Sequence, residues 1–325
     1  MAGEFSSFND VLRRRIARLN TNGSLDSTFT TSQITNTVEV IHAAKIHPDG
    51  RIIIGGVLLD FNNTQTDCLA RLNSNGSHDA SFNNTDQTGA IYCLKIENNQ
   101  KILIGGNFNQ WNNSTVIKYI NRLDPLYGQS ANFGGLLCNY PVKTISLQSD
   151  GKIIFGNSFY LERLNNNNSI DNSFANVYAN SEILTSAIQN DDKILIGGAF
   201  SVVSNVLKNR IVRLNSNGSI DPSYNIGLGA NDTIYSVVLQ QDGKAIIGGA
   251  FTSFNGMQVN RIARLNVDGT LDTTFNPLGT GANHSIRTIS ILTFIDVTQV
   301  NQCVSRNLTA IIKYMTSQGE DKMLR

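Results

Sequence analysis

The sequence predicts an all-β fold, a closed β-propeller, on three observations. An apolar run, a polar turn, a second apolar run and a glycine pair recur in that order. An Arg-Leu-Asn signature, followed by a turn, an aspartate and an aromatic, recurs at Arg18, Arg71, Arg122, Arg163, Arg213 and Arg264, so successive arginines lie 53, 51, 41, 50 and 51 residues apart. The apolar runs are short, rich in Ile, Leu and Val, separated by Asp-Gly or Asn-Gly turns, and free of helical periodicity. A sheet of about four short strands cannot bury both faces alone, so the units must stack. Roughly 50 residues and four strands per unit is the size of a propeller blade.

The first signature reads AAKIHPDGRIIIGG ending at Gly56, YCLKIENNQKILIGG ending at Gly106 and TISLQSDGKIIFGN ending at Asn157. It returns as TSAIQNDDKILIGG ending at Gly198 and SVVLQQDGKAIIGG ending at Gly249. In the unit ending with the Arg213 signature, four antiparallel strands are expected near 183–188, 193–197, 210–214 and 222–226. The second signature is RLNTNGSLDSTF at Arg18, RLNSNGSHDASF at Arg71, RLNSNGSIDPSY at Arg213 and RLNVDGTLDTTF at Arg264, with weaker copies at Arg122 and Arg163. Because these residues recur once per unit, they belong to the fold. Asp26, Asp79, Asp171, Asp221 and Asp272 are expected to accept turn N–H groups, and the arginines to pair between blades. Phe29, Phe82, Phe174, Tyr224 and Phe275 read as wedges in the core.

The chain starts inside a unit, since Gly3-Glu4-Phe5 aligns with the segment after a glycine pair. It runs on into NPLGTGANHSIRTISIL, which matches the opening NIGLGANDTIYSVVLQ of a unit. Six four-stranded blades follow, one assembled from both termini so that residues 4–20 share a blade with 284–292 and no sheet edge stays exposed. Seven blades require extra strands from the tail. The propeller is assigned to residues 1–295, and residues 296–325 form a non-repeat tail.

Charged residues make up 16% of the chain and the formal net charge is +1, against about 25% charged in globular domains generally. No basic block is present, which argues against nucleic acid, and no apolar run is long enough to cross a membrane. The opening MAGEFSSFND lacks a secretory n-region and h-region. Cys68, Cys93, Cys138 and Cys303 show no metal or disulfide spacing. His42, His47, His78 and His284 read as exposed turn residues. With one Asp per turn there is no calcium loop, and no phosphate-binding loop or nucleophile–base pair stands out. No metal, cofactor or catalytic residue is assigned.

The pattern DGKIIIGGxF followed by RIARLNxDGSLDxxF resembles the delta-60 repeat β-propeller family over about residues 1–292. The departures are Gly-Asn at 156–157, the weak copy at Arg122 and the lost pattern after Leu292. The resemblance implies a propeller with no catalytic residues to carry over, of a kind found in bacterial surface-associated proteins and in phage proteins.

The informative segments for function are the long loops after the glycine pairs. In an antiparallel meander they share one face, opposite the short turns. The fifth residue past the glycine is Phe8, Phe61, Trp111, Val203 or Phe254, and the next is Asn9, Asn62, Asn112, Ser204 or Asn255. Aromatic and amide groups in that arrangement suit sugars or a protein loop. The unit from Asn157 to Arg163 lacks about nine loop residues, which predicts a notch with Tyr160 near its floor and residues 107–117 and 199–209 as walls. Trp111, Asn112, Tyr160, Phe61 and Phe254 are therefore the candidate ligand contacts. The expected function is a non-catalytic binding or structural scaffold, not an enzyme, contacting protein or glycan on a bacterial surface or phage particle. The alternative is a glycan-active propeller enzyme, a hydrolase or lyase, marked by two carboxylates roughly 5–10 Å apart.

Overall fold

Each apolar run folds as a strand, and the Asp-Gly turns close hairpins whose glycines adopt left-handed backbone, with φ of 85° at Gly50, 84° at Gly151 and 81° at Gly243. The computed structural model describes residues 7–8, 11–12, 15–20, 24–29, 40–57, 60–61, 64–65, 68–82, 89–108, 119–131, 138–275, 282, 284–289, 312–313 and 323–324. These residues contain many antiparallel sheets and no helix.

Five sheets succeed one another along the chain. The first is Val40–Ile46, Ile52–Val57 and Leu69–Leu72, and the second is Gly89–Ile96, Ile102–Phe108 and Ile120–Leu123. The third is Thr144–Leu147, Ile153–Gly156, Tyr160–Leu164 and Val177–Tyr178. The fourth is Ile183–Ile188, Ile194–Gly198 and Ile211–Leu214, and the fifth is Ile234–Leu239, Ala245–Gly249 and Ile262–Leu265. The opening strand of each sheet touches the opening strand of the next, so these are the inner strands of a propeller-like stack. Among the described residues only the third sheet has four strands. In the fourth, residues 222–226 do not form the expected strand: Ile220 makes a single bridge to Leu214, and Asp221 then accepts the Ser223 N–H at 2.9 Å and turns the chain away.

The glycine pair has two separate physical causes. A side chain on its first member would strike the next inner strand or the segment that leads into it: at Gly55 it would meet Ile91, at Gly105 Val142 and at Gly197 Ile234, while at Gly248 it would meet Ile286 of the C-terminal segment. A side chain on its second member would collide with a carbonyl oxygen of its own inner strand, that of Val40 at Gly56, Ala90 at Gly106, Glu182 at Gly198 and Thr233 at Gly249. That carbonyl crosses close because each of these four inner strands carries a register irregularity, for example between Ile183 and Thr185. In the third sheet, where Asn157 replaces the glycine, the strands pair without the irregularity. The Asn157 Oδ1 instead accepts the N–H groups of Phe159 and Tyr160, both at 2.9 Å, and makes the tight turn of the shortened unit.

The second signature builds a clasp at the short-turn face. In five units the arginine Nε donates to the aspartate at 2.8–2.9 Å. The guanidinium lies 4.4–4.9 Å over the aromatic ring. Its other nitrogens reach the turn of the next unit, as Arg163 does to the Ser216 carbonyl at 2.6 Å and Arg213 to the Val267 carbonyl at 2.7 Å. A second cation, Arg51, Lys152, Lys193 or Lys244, meets the same aspartate. The aromatic covers the glycine of the next turn, Phe174 over Gly218 and Tyr224 over Gly269. Arg122, whose unit has Ser130 at the aspartate position, takes Glu97 instead at 2.7 and 2.8 Å. His47 is no exposed turn residue: it is buried, with Nδ1 3.0 Å from Asp49.

Hydrogen bonds from Ser173, opposed by burial and helped by Arg163, hold Asp171 at about 2. At Asp79 burial pushes upward but is outweighed by Ser81 and Arg51, again giving about 2. Both lie below the ordinary value of about 3.9, so this stabilisation is complete above pH of about 4 and disappears as pH falls through about 2. The melting temperature is expected to drop across that window. In Asp171→Asn, less stable at neutral pH, the drop is expected to be smaller; an equal drop in thermal melts recorded against pH contradicts this account.

At the chain ends, Ser7–Phe8 pairs with Val11–Leu12 in the same small hairpin as Ser253–Phe254 with Met257–Gln258. Ile286 donates its N–H to the Gly249 carbonyl at 3.0 Å, as Val142 does to Gly106 at 3.1 Å. Ile286 and Ile289 are buried against Ile246 of the fifth sheet.

Candidate functional site

Inner strands begin, and middle strands end, at one face of the stack; the Asp-Gly turns and the clasps occupy the other. On the loop face three of the long post-glycine segments form a hairpin of two-residue strands, at 60–61 with 64–65, 202–203 with 206–207 and 253–254 with 257–258. This explains the repeated aromatic and amide positions. Val203 and Phe254 are fully buried, Phe254 in a core with Ile226, Ala230 and Phe251. The next residues make the hairpin turn, with φ of 47° at Ser204 and 48° at Asn255. Phe254 is thus an anchor of its loop, out of reach of a ligand. Phe61 lies in the first of these hairpins. Trp111, Asn112 and most of the 107–117 wall lie outside the described residues.

Tyr160 sits where a site can form. The shortened turn at Asn157 leaves it at the start of its strand, paired in register with Tyr178. Its ring stacks on Tyr140 at 6.3 Å and 27°, and meets Tyr178 at 5.6 Å. Phe159 packs edge-on against Tyr140 at 5.3 Å. Tyr140 and Tyr178 are 38% and 42% exposed, far more than the buried core aromatics, so the four rings make an open shelf. Tyr140 and Tyr178 do not recur from unit to unit, and their only signal in the sequence is their placement shortly before inner strands.

Two residues beyond Tyr160, on the same side of its strand, stands Glu162. The equivalent positions hold Ala17, Ala70, Asn121, Val212 and Ala263. Burial pushes its carboxyl pKa up, and among the described residues it has no hydrogen bond or ion pair. The thiol of Cys138 is pushed up by burial and, to a smaller degree, by Glu162, which places the carboxyl beside the segment that carries Tyr140. A half-buried carboxyl two residues from the aromatic platform therefore keeps its proton to a higher pH than an ordinary carboxylate does, which suits it to give or take a proton. No group of three or more His, Cys, Asp or Glu able to hold a metal occurs among the described residues.

Comparison with known proteins gives the frame. The family model described as a domain of unknown function (DUF5122) β-propeller matches residues 1–29, 47–82, 148–174, 189–224 and 240–275, just over half of the chain. No curated protein sequence matches. Among solved structures, virginiamycin B lyase from Staphylococcus aureus is similar at 15% identity and TM-score 0.52, over 78% of this chain and 74% of that one. A catalytically inactive variant of that lyase, with quinupristin, aligns at 12% identity and TM-score 0.52, over 90% and 87%. A gluconolactonase from Xanthomonas campestris aligns at 11% identity over 78% and 82%, but its TM-score of 0.48 carries no argument. The likeness to the lyase concerns the fold alone, yet it overturns the expectation that this chain is not an enzyme. That expectation took residues repeated around a ring to exclude a reacting centre, and the Staphylococcus fold carries catalysis.

Proposed function

This chain belongs to the DUF5122 β-propeller family, and from that premise we propose that it binds a glycan on its loop face, across the aromatic shelf of the third sheet. In this reading six delta-60-type units form a ring, closed where residues 284–289 complete the blade of the N-terminal hairpin. The observation that carries the glycan reading is the cluster of Tyr140, Phe159, Tyr160 and Tyr178, two of them well exposed. Tyrosine rings offer an apolar face to the C–H side of a sugar and a hydroxyl to its rim.

Glu162 favours a second reading, in which the bound glycan is cleaved by hydrolysis or elimination with this carboxyl as the acid or base. The raised pKa, the neighbouring platform and the absence of a structural partner among the described residues support it. An oligosaccharide panel titrated against the protein tests both readings. Tyr160→Ala and Tyr178→Ala are each expected to weaken binding about tenfold, the value of one good stacking contact. Glu162→Gln is expected to keep the affinity and stop product formation. Unchanged affinity in both tyrosine variants rules out the shelf, and unchanged turnover in Glu162→Gln rules out the acid.

A further inference from the structure

At the start of each of the five inner strands stands a triplet whose outer members are set by packing and whose middle member varies, Ile41-His42-Ala43, Ile91-Tyr92-Cys93, Val142-Lys143-Thr144, Ile183-Leu184-Thr185 and Ile234-Tyr235-Ser236, and the pattern returns beyond the fifth sheet as Ile286-Arg287-Thr288. In four sheets the middle residue falls at the register irregularity, so it stands opposite no partner. These middle residues meet from sheet to sheet. The His42 ring lies edge-on to Tyr92 at 5.3 Å, Lys143 Nζ lies 4.1 Å over the same Tyr92, and Arg287 lies 4.2 Å over Tyr235.

Three residues further along, the first two inner strands add Lys45 and Lys95. Lys95 is half-buried, and burial together with the charge of Lys45 lowers its pKa. Among the described residues neither lysine has an acidic partner. Lys143 has one, Glu182 at 3.6 Å, and the other acid at the inner strands, Glu97, is taken by Arg122. The fold does not need these cations: Ser146, Ala187 and Val238 occupy the same repeat position as Lys45 and Lys95. In a chain of net charge +1, Lys95 is kept at a cost in desolvation and in repulsion from the exposed Lys45 on the neighbouring inner strand. Such an arrangement is the mark of a site for the opposite charge.

We infer that the inner strands form an anion site, entered from the loop face, in which Lys45, Lys95, Lys143 and Arg287 hold a carboxylate or phosphate group beside Tyr92 and Tyr235. The part played by Arg287 rests on the ring closure proposed above; the glycan shelf is independent of it. The test titrates the full chain with inorganic phosphate, with a hexuronate oligosaccharide and with a neutral oligosaccharide. At least one anionic probe is expected to bind, and to lose about tenfold in affinity as salt rises from about 0.05 to 0.5 M. Binding of phosphate alone assigns a phosphorylated ligand, and binding of the hexuronate alone assigns an acidic glycan. Lys95→Met is expected to weaken the anion at least tenfold while raising the melting temperature, because it removes a partly desolvated charge beside Lys45; a merely structural lysine moves neither in that way. Neutral-sugar binding is expected to stay unchanged. Failure of both anions to bind, or unchanged affinity in Lys95→Met, overturns the site. Loss in Lys95→Met without loss in Arg287→Met leaves the site on the first three sheets and overturns the ring closure.

Discussion

Gly198→Ala is expected to lower stability by about 3 kcal/mol or more, near the upper end of overpacking effects. The new methyl group would fall on the Glu182 carbonyl oxygen. Backbone on both sides fixes that oxygen, so no rotamer change relieves the collision. The register irregularity between Ile183 and Thr185 would have to be given up, and with it the position of Leu184 on the inner strand. The third sheet supplies the control, because Asn157 already stands at the equivalent position in a sheet without the irregularity. Asn157→Ala is therefore expected to cost only the two turn hydrogen bonds to Phe159 and Tyr160, about 1–2 kcal/mol. Urea unfolding of the two variants checks the ordering; equal losses contradict the explanation of the glycine pair.

Arg213→Ala is expected to cost about 3 kcal/mol, the low end of the range for a broken buried ion pair, since Lys193 remains 3.2 Å from Asp221. One guanidinium joins five partners: Asp221 at 2.8 Å, Ser223 at 3.1 Å, the Val267 carbonyl at 2.7 Å, the Gln189 side-chain oxygen at 3.5 Å and the Tyr224 ring at 4.4 Å. The Val267 contact crosses to the next unit, so the loss loosens two units at once. Arg213→Lys is expected to recover less than half, because an ammonium cannot reach all five partners from one position. Denaturant midpoints for the two variants check this, and a lysine variant as stable as the parent contradicts the clasp.

The repeat made most of the scaffold legible. Matched apolar runs located the strands, and the recurrence of Arg163, Asp171, Arg213 and Asp221 marked them as structural, although that each arginine pairs with the aspartate of its own unit is visible only in the structure. The same regularity misled at Phe254 and Asn255. Repetition of an aromatic and an amide looked like a ring of ligand contacts, whereas a hairpin turn and its buried anchor are also required once per unit. The shelf was half visible: the short Asn157–Arg163 segment pointed to Tyr160, but Tyr140 and Tyr178 come from segments outside the repeat and meet it only through strand pairing. The cations of the inner strands are not legible in the repeat, because Lys45, Tyr92, Lys143 and Arg287 stand at positions where it varies.

The central claim is that the loop face around the third sheet receives the ligand, and hydrogen–deuterium exchange with and without a bound oligosaccharide tests it most directly. The account predicts new protection confined to residues 138–144, 157–163 and 176–183, with the Asp-Gly and Asn-Gly turns unchanged. Protection appearing instead at those turns, around residues 190–193 and 215–219, would contradict it.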